Sequence, residues 1–274
     1  MILILALLMT AANPGVIIVD NVWFYGSDHK MRILNTADTV EIVDRSNDRY
    51  QVRCDTALGE LDRHVMIDLE AGIAEHELFV FGRGNFDEGE YSRASRLLDI
   101  FIERFGDSEY AAEALYYLGQ AMEMLAARPG SDSLPSIARN ERTGQNYYTG
   151  DAYRRILEEH PASPYASKAQ YRLINIFRTA HLPWPDSIGI IEQELAMWHA
   201  FCRQYADTDE HVLGLTEAGF LNRVLFELTA DPAYAAAATG LFTEILEGYP
   251  ATVHAAYARV HLAELAAGER IYNY

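Results

Sequence analysis

The sequence predicts a multidomain α and β protein: an apolar segment at 1–13, a small β-barrel over 16–70 and an all-α solenoid over 71–274. Three observations predict it. Short β-rich stretches separated by polar turns fill the first third, four helix-pair segments align without gaps in the remainder, and an apolar run opens the chain. With 274 residues, half of them hydrophobic, the chain is long enough for two cores and short for three.

The opening run, MILILALLMTAA from Met1 to Ala12, ends in small residues and meets Asn13-Pro14-Gly15. Its length and its breakers predict a signal peptide cut near Asn13, and so an exported, periplasmic or envelope-associated protein, with a buried first strand as the alternative. About eleven apolar residues fall short of the ~20 that a spanning helix takes, so no integral membrane span is expected. No cysteine follows the run to carry a lipid. Cys54 and Cys202 are too few and too far apart for a disulfide framework or a metal-ligand spacing. Lys plus Arg number 22 against 40 Asp plus Glu, for a net charge of −18. With no basic run, nucleic acid is excluded as a partner; the acidity serves solubility or meets a basic partner.

From Val16 onward the strand candidates are VIIV at 16–19, VWFY at 22–25, MRIL at 31–34, TVEIV at 39–43 and RYQVRC at 49–54. Val40, Ile42, Tyr50, Val52 and Cys54 alternate with polar residues and share one inward face, and the polar stretch 44–48 joins the last two strands as a hairpin. Closing such short strands into a barrel would remove their exposed edges. The order VxxVWFYGSDHKMRIL, TADTVEIVDRSNDRYQVRC, ALGELDRHVMIDL resembles the bacterial Src homology 3-like domains of exported envelope proteins over about 55 residues. That resemblance implies cell-wall peptide binding, with Trp23, Phe24 and Tyr25 as the candidate barrel ligand groove; ordinary core and rim packing is the alternative for the same three.

Four segments then fall into register: FIERFGDSEYAAEALYYLG, ILEEHPASPYASKAQYRLI, FCRQYADTDEHVLGLTEAG and ILEGYPATVHAAYARVHLA. Their hydroxyl residues, Ser108, Ser163, Thr208 and Thr252, are expected to accept a backbone N–H and so to start each second helix. Small residues follow at Ala114, Ala169, Gly214 and Ala258, where neighbouring helices approach closely. Phe101, Ile156, Phe201 and Ile245, with Phe105, His160, Tyr205 and Tyr249 four residues on, mark the buried face of each first helix. First helices are expected at 91–104, 147–159, 188–204 and 234–247, preceded by one more at 71–84. The surplus stretch 127–144 reads as a loop insertion and a candidate contact loop. The aromatic, small-residue and P-x-S pattern resembles tetratricopeptide-type repeats of bacterial envelope proteins, such as the outer-membrane assembly lipoproteins and the Tol-Pal coordinator. The likeness covers about 195 residues and implies a concave binding surface rather than chemistry.

No nucleophile elbow, phosphate loop, dinucleotide fingerprint or metal-ligand set is present, so no catalytic residue, metal or cofactor is expected. His254 and His261 read as surface or core polar groups, and Glu192 with Glu194, like Glu158 with Glu159, as solvated helix faces. The leading expectation is a non-enzymatic protein-binding scaffold of the bacterial cell envelope that holds a peptide or protein, another envelope protein among the candidates, in the groove of the repeats. Its candidate lining residues are Tyr116, Tyr117, Tyr147, Tyr148, Tyr153, Arg154, Tyr171 and Arg172, any of which could instead fill space between helices. The alternative is a peptidoglycan-binding barrel with the repeats as spacer; an unrecognised hydrolase is the lesser one.

Overall fold

A computed structural model describes residues 13–46, 48–182 and 188–271; the expected signal segment, Met1–Ala12, lies outside the described residues. The chain forms two compact units, one up to Leu125 and one from Ala126.

The first unit opens with seven strands: β1 Pro14–Ile17, β2 Val22–Tyr25, β3 Met31–Leu34, β4 Thr39–Ser46, β5 Arg49–Cys54, β6 Ala57–Asp62 and β7 Met66–Asp68. Val40, Ile42 and Val52 alternate with polar residues and are fully buried, and Tyr50 and Cys54 pack against the same core. Five strands form one antiparallel sheet in the order β6-β5-β4-β1-β7, while β2 and β3 pair only with each other. This corrects the expected barrel, because among the described residues the sheet does not close. Its ends are protected differently. At one end β7 is three residues long and helix α1, Ala74–Asp87, packs against it. At the other end the β2–β3 hairpin leans on β6, where Ser27 N–H donates to the Leu58 carbonyl at 2.6 Å. Gly59 makes that approach feasible, since a Cβ there would sit 2.6 Å from the Phe24 ring. A covered edge needs no closure. Helices α2, Tyr91–Arg104, and α3, Ala111–Ala126, complete this unit, with Leu78, Phe79, Leu97, Leu98 and Phe101 buried among α1 to α3.

The second unit holds three helix pairs: α4 Asp151–Glu159 with α5 Ala166–His181, α6 Ile188–Gln204 with α7 His211–Thr229, and α8 Pro232–Gly248 with α9 Val253–Ala267. It is not all-α. β8 Ile137–Arg139, in the expected loop insertion, pairs with β9 Asn146–Tyr148 just after it, so the first helix begins at Asp151 rather than Tyr147. Buried Asn140 locks this hairpin: its Nδ2 donates to the Thr179 and Leu182 carbonyls at 2.8 and 2.6 Å, satisfying the exposed end of α5.

One turn is repeated four times along the chain. The N–H groups of Phe105, His160, Tyr205 and Tyr249 donate to the carbonyls of Phe101, Ile156, Phe201 and Ile245 at 2.7 to 2.9 Å. Ser108, Ser163, Thr208 and Thr252 follow three residues later, each donating its N–H back to that aromatic or histidine residue's carbonyl. All four hydroxyl residues thus lie between paired helices, but only Thr252 caps directly, accepting from Ala255 N–H at 3.2 Å. Ser108, Ser163 and Thr208 open a single turn first, and their helices start three residues on. Phe101, Ile156, Phe201 and Ile245 are at most 1% exposed, and Ala114, Ala169 and Ala258 are fully buried. Gly214 serves the same position. A Cβ there would fall 2.6 Å from the Phe201 ring, so α6 and α7 pack closer than an alanine allows.

Candidate functional site

In the second unit, α7 and α9 run side by side in a fixed register. Two bonds join them, Thr216 to His254 Nδ1 at 3.1 Å and Arg223 to His261 Nδ1 at 2.5 Å, while His211 at the start of α7 bonds the Oη of Tyr249, in the turn before α9, at 2.8 Å; each pair is separated by the same 38 positions. A constant offset means that the two helices point the same way. Beside the Thr216–His254 pair a cleft of about 360 Å³ opens between α5, α7 and α9. Thr216, Glu217 and Phe220 of α7 line it at i, i+1 and i+4; Val253, His254 and Tyr257 of α9 line it at the same spacing, and Arg178 of α5 closes it. That spacing puts each trio on one helical face.

The floor is ionic. Arg178 Nε donates to Glu194 Oε1 at 2.6 Å, and its Nη2 lies 2.8 Å from Glu217 Oε2. Burial works against the guanidinium's charge, but Glu217 and Glu194 outweigh it and hold Arg178 above its ordinary pKa. Glu194 is wholly buried and also accepts from Trp198 Nε1 at 3.2 Å. The expectation that Glu192 and Glu194 form one solvated face is therefore corrected. Glu192 is exposed and accepts from Tyr234 Oη, whereas the helix turns Glu194 inward onto Arg178. Glu194 and Glu217 thus both bear on the guanidinium of Arg178. The lip is apolar and aromatic: Val253 is 77% exposed, and the rings of Tyr257 and Phe220 both bear on His261, at 4.1 and 6.1 Å.

The sequence-predicted tyrosines do not form this surface. Tyr116 and Tyr117 belong to the first unit, where Arg83 lies 4.7 Å over the Tyr117 ring and Phe86 packs at 5.1 Å. In the second unit Tyr148 and Tyr153 are buried against each other, and Tyr148 Oη accepts the Ala152 N–H at the start of α4. Tyr147 and Arg172 are half-buried, and Tyr171 packs on Trp198 at 5.5 Å. Exposed Arg154 donates to the Thr149 carbonyl at 2.8 Å and pairs with Asp151. The cleft residues escaped sequence reasoning, although a signal exists. Arg178, Arg223 and His261 interrupt otherwise apolar helical stretches, a pattern that marks buried charge pairs.

In the first unit, strand alternation splits Trp23, Phe24 and Tyr25. Phe24 is fully buried, which corrects its place in a ligand groove, while Trp23 and Tyr25 stand 63% and 62% exposed on the outer face of the hairpin. Ile33 and Met31 lie directly across from them and are exposed as well. The same unit has a cleft of about 590 Å³ lined by Val19, Val80 and Phe81 together with Asp20, Glu88 and Arg93, of which Asp20 and Arg93 pair with each other.

Neither thiol has the character of a nucleophile: burial pushes Cys202 up to about 11 and raises Cys54 as well. Among the described residues no group of His, Cys, Asp and Glu is placed to hold a metal, and no helix is long and apolar enough to cross a membrane. No protein-family model and no curated protein matches this chain.

Proposed function

We propose that this protein is a non-enzymatic scaffold of the bacterial cell envelope that binds an extended protein segment along the α5, α7 and α9 face of its second unit. The observation that carries the reading is the cleft built from one helix of each of three successive pairs, with α7 and α9 in constant register. A surface made by one helix after another suits a chain that lies across them. The fourfold turn, with its likeness to tetratricopeptide-type units, supports the same reading. The envelope placement draws on the apolar run Met1–Ala12 and on that likeness. A photocrosslinking amino acid at Val253, with a control at the exposed Thr239 of α8, tests it in the source cell. Protein adducts concentrated at Val253 are expected; equal labelling from both positions, or none at Val253, overturns the reading.

A second reading, cell-wall glycan binding, is favoured by the exposure of Trp23 and Tyr25 on one face, since flat rings stack on sugar faces. The full chain should then cosediment with purified cell wall, and the Trp23→Ala, Tyr25→Ala double variant should not. Wild-type protein that stays in the supernatant removes this reading.

A further inference from the structure

We propose that residues 268–271 form a strap that is latched onto α7 while His261 is neutral and is released when His261 takes up a proton. This goes beyond the reading of the α5, α7 and α9 face and concerns the segment after α9 instead. Gly268, at φ +69°, ends α9, and its turn delivers the strap to α7. Two bonds hold it there: Arg223 Nη2 donates to the Glu269 carbonyl at 2.9 Å, and the Ile271 N–H donates to Glu227 Oε1 at 2.5 Å. The Ile271 side chain then packs on the core that α5, α6 and α7 build. Both bonds depend on one linked pair, since Arg223 Nε lies 3.8 Å from Glu227 Oε1.

The same guanidinium touches His261. A guanidinium only donates, so the 2.5 Å contact of Arg223 Nη1 with His261 Nδ1 requires that Nδ1 be an unprotonated acceptor. A proton added there removes the acceptor and sets two cations against each other, at a place where Arg223 is 0% and His261 6% exposed. The titratable groups that bear on His261 are Arg223 from α7 and Tyr257 and Glu264 from its own helix, while α8 presents the Phe242 ring. Glu264 Oε2 is within reach of both cations: it pairs with Arg223 and lies 3.7 Å from His261 Nδ1. The imidazolium therefore takes over that carboxylate at the expense of Arg223. The displaced guanidinium turns toward Glu227, the acceptor of the Ile271 N–H, and both strap bonds are lost together. Burial and Arg223 hold His261 below its ordinary value near 6.5 while the strap is docked. Release restores the ordinary value, so between the two the ratio of released to docked strap rises up to tenfold for each unit by which the pH falls.

The test is an NMR titration of the full-length protein, labelled at the isoleucine δ1 methyls, from pH 8 to pH 4. The Cε1–H of His261 is followed in the same samples. The Ile271 methyl should move to the position of a solvated isoleucine with the midpoint of His261, below pH 6.5, while the methyls of the fully buried Ile156 and Ile245 hold theirs. In His261→Gln, whose side-chain oxygen still accepts from Arg223 but does not titrate, the strap should stay docked throughout. Four results overturn the proposal: an Ile271 methyl that never moves, one that moves with a midpoint other than that of His261, the same transition kept in His261→Gln, or Ile245 moving together with Ile271 as the unit unfolds. Where His261→Gln fails to fold, the coincidence of the two wild-type midpoints decides alone.

Discussion

Replacing Arg223 by methionine should cost the second unit about 3 to 5 kcal/mol of stability, the range for removing one partner of a buried ion pair. The magnitude follows from what the guanidinium holds. Arg223 is 0% exposed. It pairs with Glu264, donates to His261 Nδ1 at 2.5 Å and to the Glu269 carbonyl at 2.9 Å, and lies 3.8 Å from Glu227. Methionine fills much of the volume but leaves each of these acceptors without its donor, at about 1 to 3 kcal/mol for a buried one. Glu264 is a third exposed and recovers part of its loss by hydration, which places the expected value toward the lower end of the range. The segment after α9 should also loosen, because the Glu269 carbonyl and, through Glu227, the Ile271 N–H are held from this cluster. Urea unfolding followed by circular dichroism measures the loss, with the slope checked against wild type so that a midpoint change reads as stability. At roughly 2 to 4 °C per kcal/mol, the thermal midpoint should fall by about 6 to 20 °C. The double variant Arg223→Met, Glu264→Leu should lose less than the sum of the two single changes. A loss under about 1 kcal/mol, or strict additivity in that cycle, would refute the claim that Arg223 organises this end of the unit.

Three other outcomes are expected. Burial, reinforced by Arg223, holds the His261 pKa below its ordinary value, and burial does the same for His199. The unfolded chain therefore takes up protons first, so this share of stability is complete above about pH 6.5 and is lost as pH falls from there through the lowered folded values; melting across pH 5 to 8 checks it, and His261→Gln should flatten the curve without abolishing the His199 share. Gly214→Ala forces a methyl group 2.6 Å from the Phe201 ring and 2.9 Å from Cys202 Sγ, and should destabilise by about 1 to 3 kcal/mol in chemical denaturation. In the first unit, Phe24→Ala should cost about 3 to 5 kcal/mol, whereas Trp23→Ala, one residue away on the exposed face, should stay within about 0.5 kcal/mol; comparable losses from both would contradict the assigned alternation.

Sequence by itself determined the elements whose causes are local. The strands at 22–25, 31–34 and 49–54 and the helices at 91–104 and 188–204 coincide with the expected spans, because alternation and 3.6-residue periodicity act over a few positions. The repeated turn was legible too, since its hydrogen bonds span three or four residues. Tertiary structure decided the rest. Whether five strands close depends on what covers their edges, here α1 at β7 and the β2–β3 hairpin at β6. Which of Trp23, Phe24 and Tyr25 faces out depends on the side from which the hairpin meets the core. Glu194 and Arg223 lie buried only because Arg178 stands 16 positions from the first and Glu264 41 positions from the second. A charged side chain leaves water only where an opposite charge waits for it. That partner is brought by packing distant helices together, so the cleft formed there is written in the register of α5, α7 and α9 and not in any one of them.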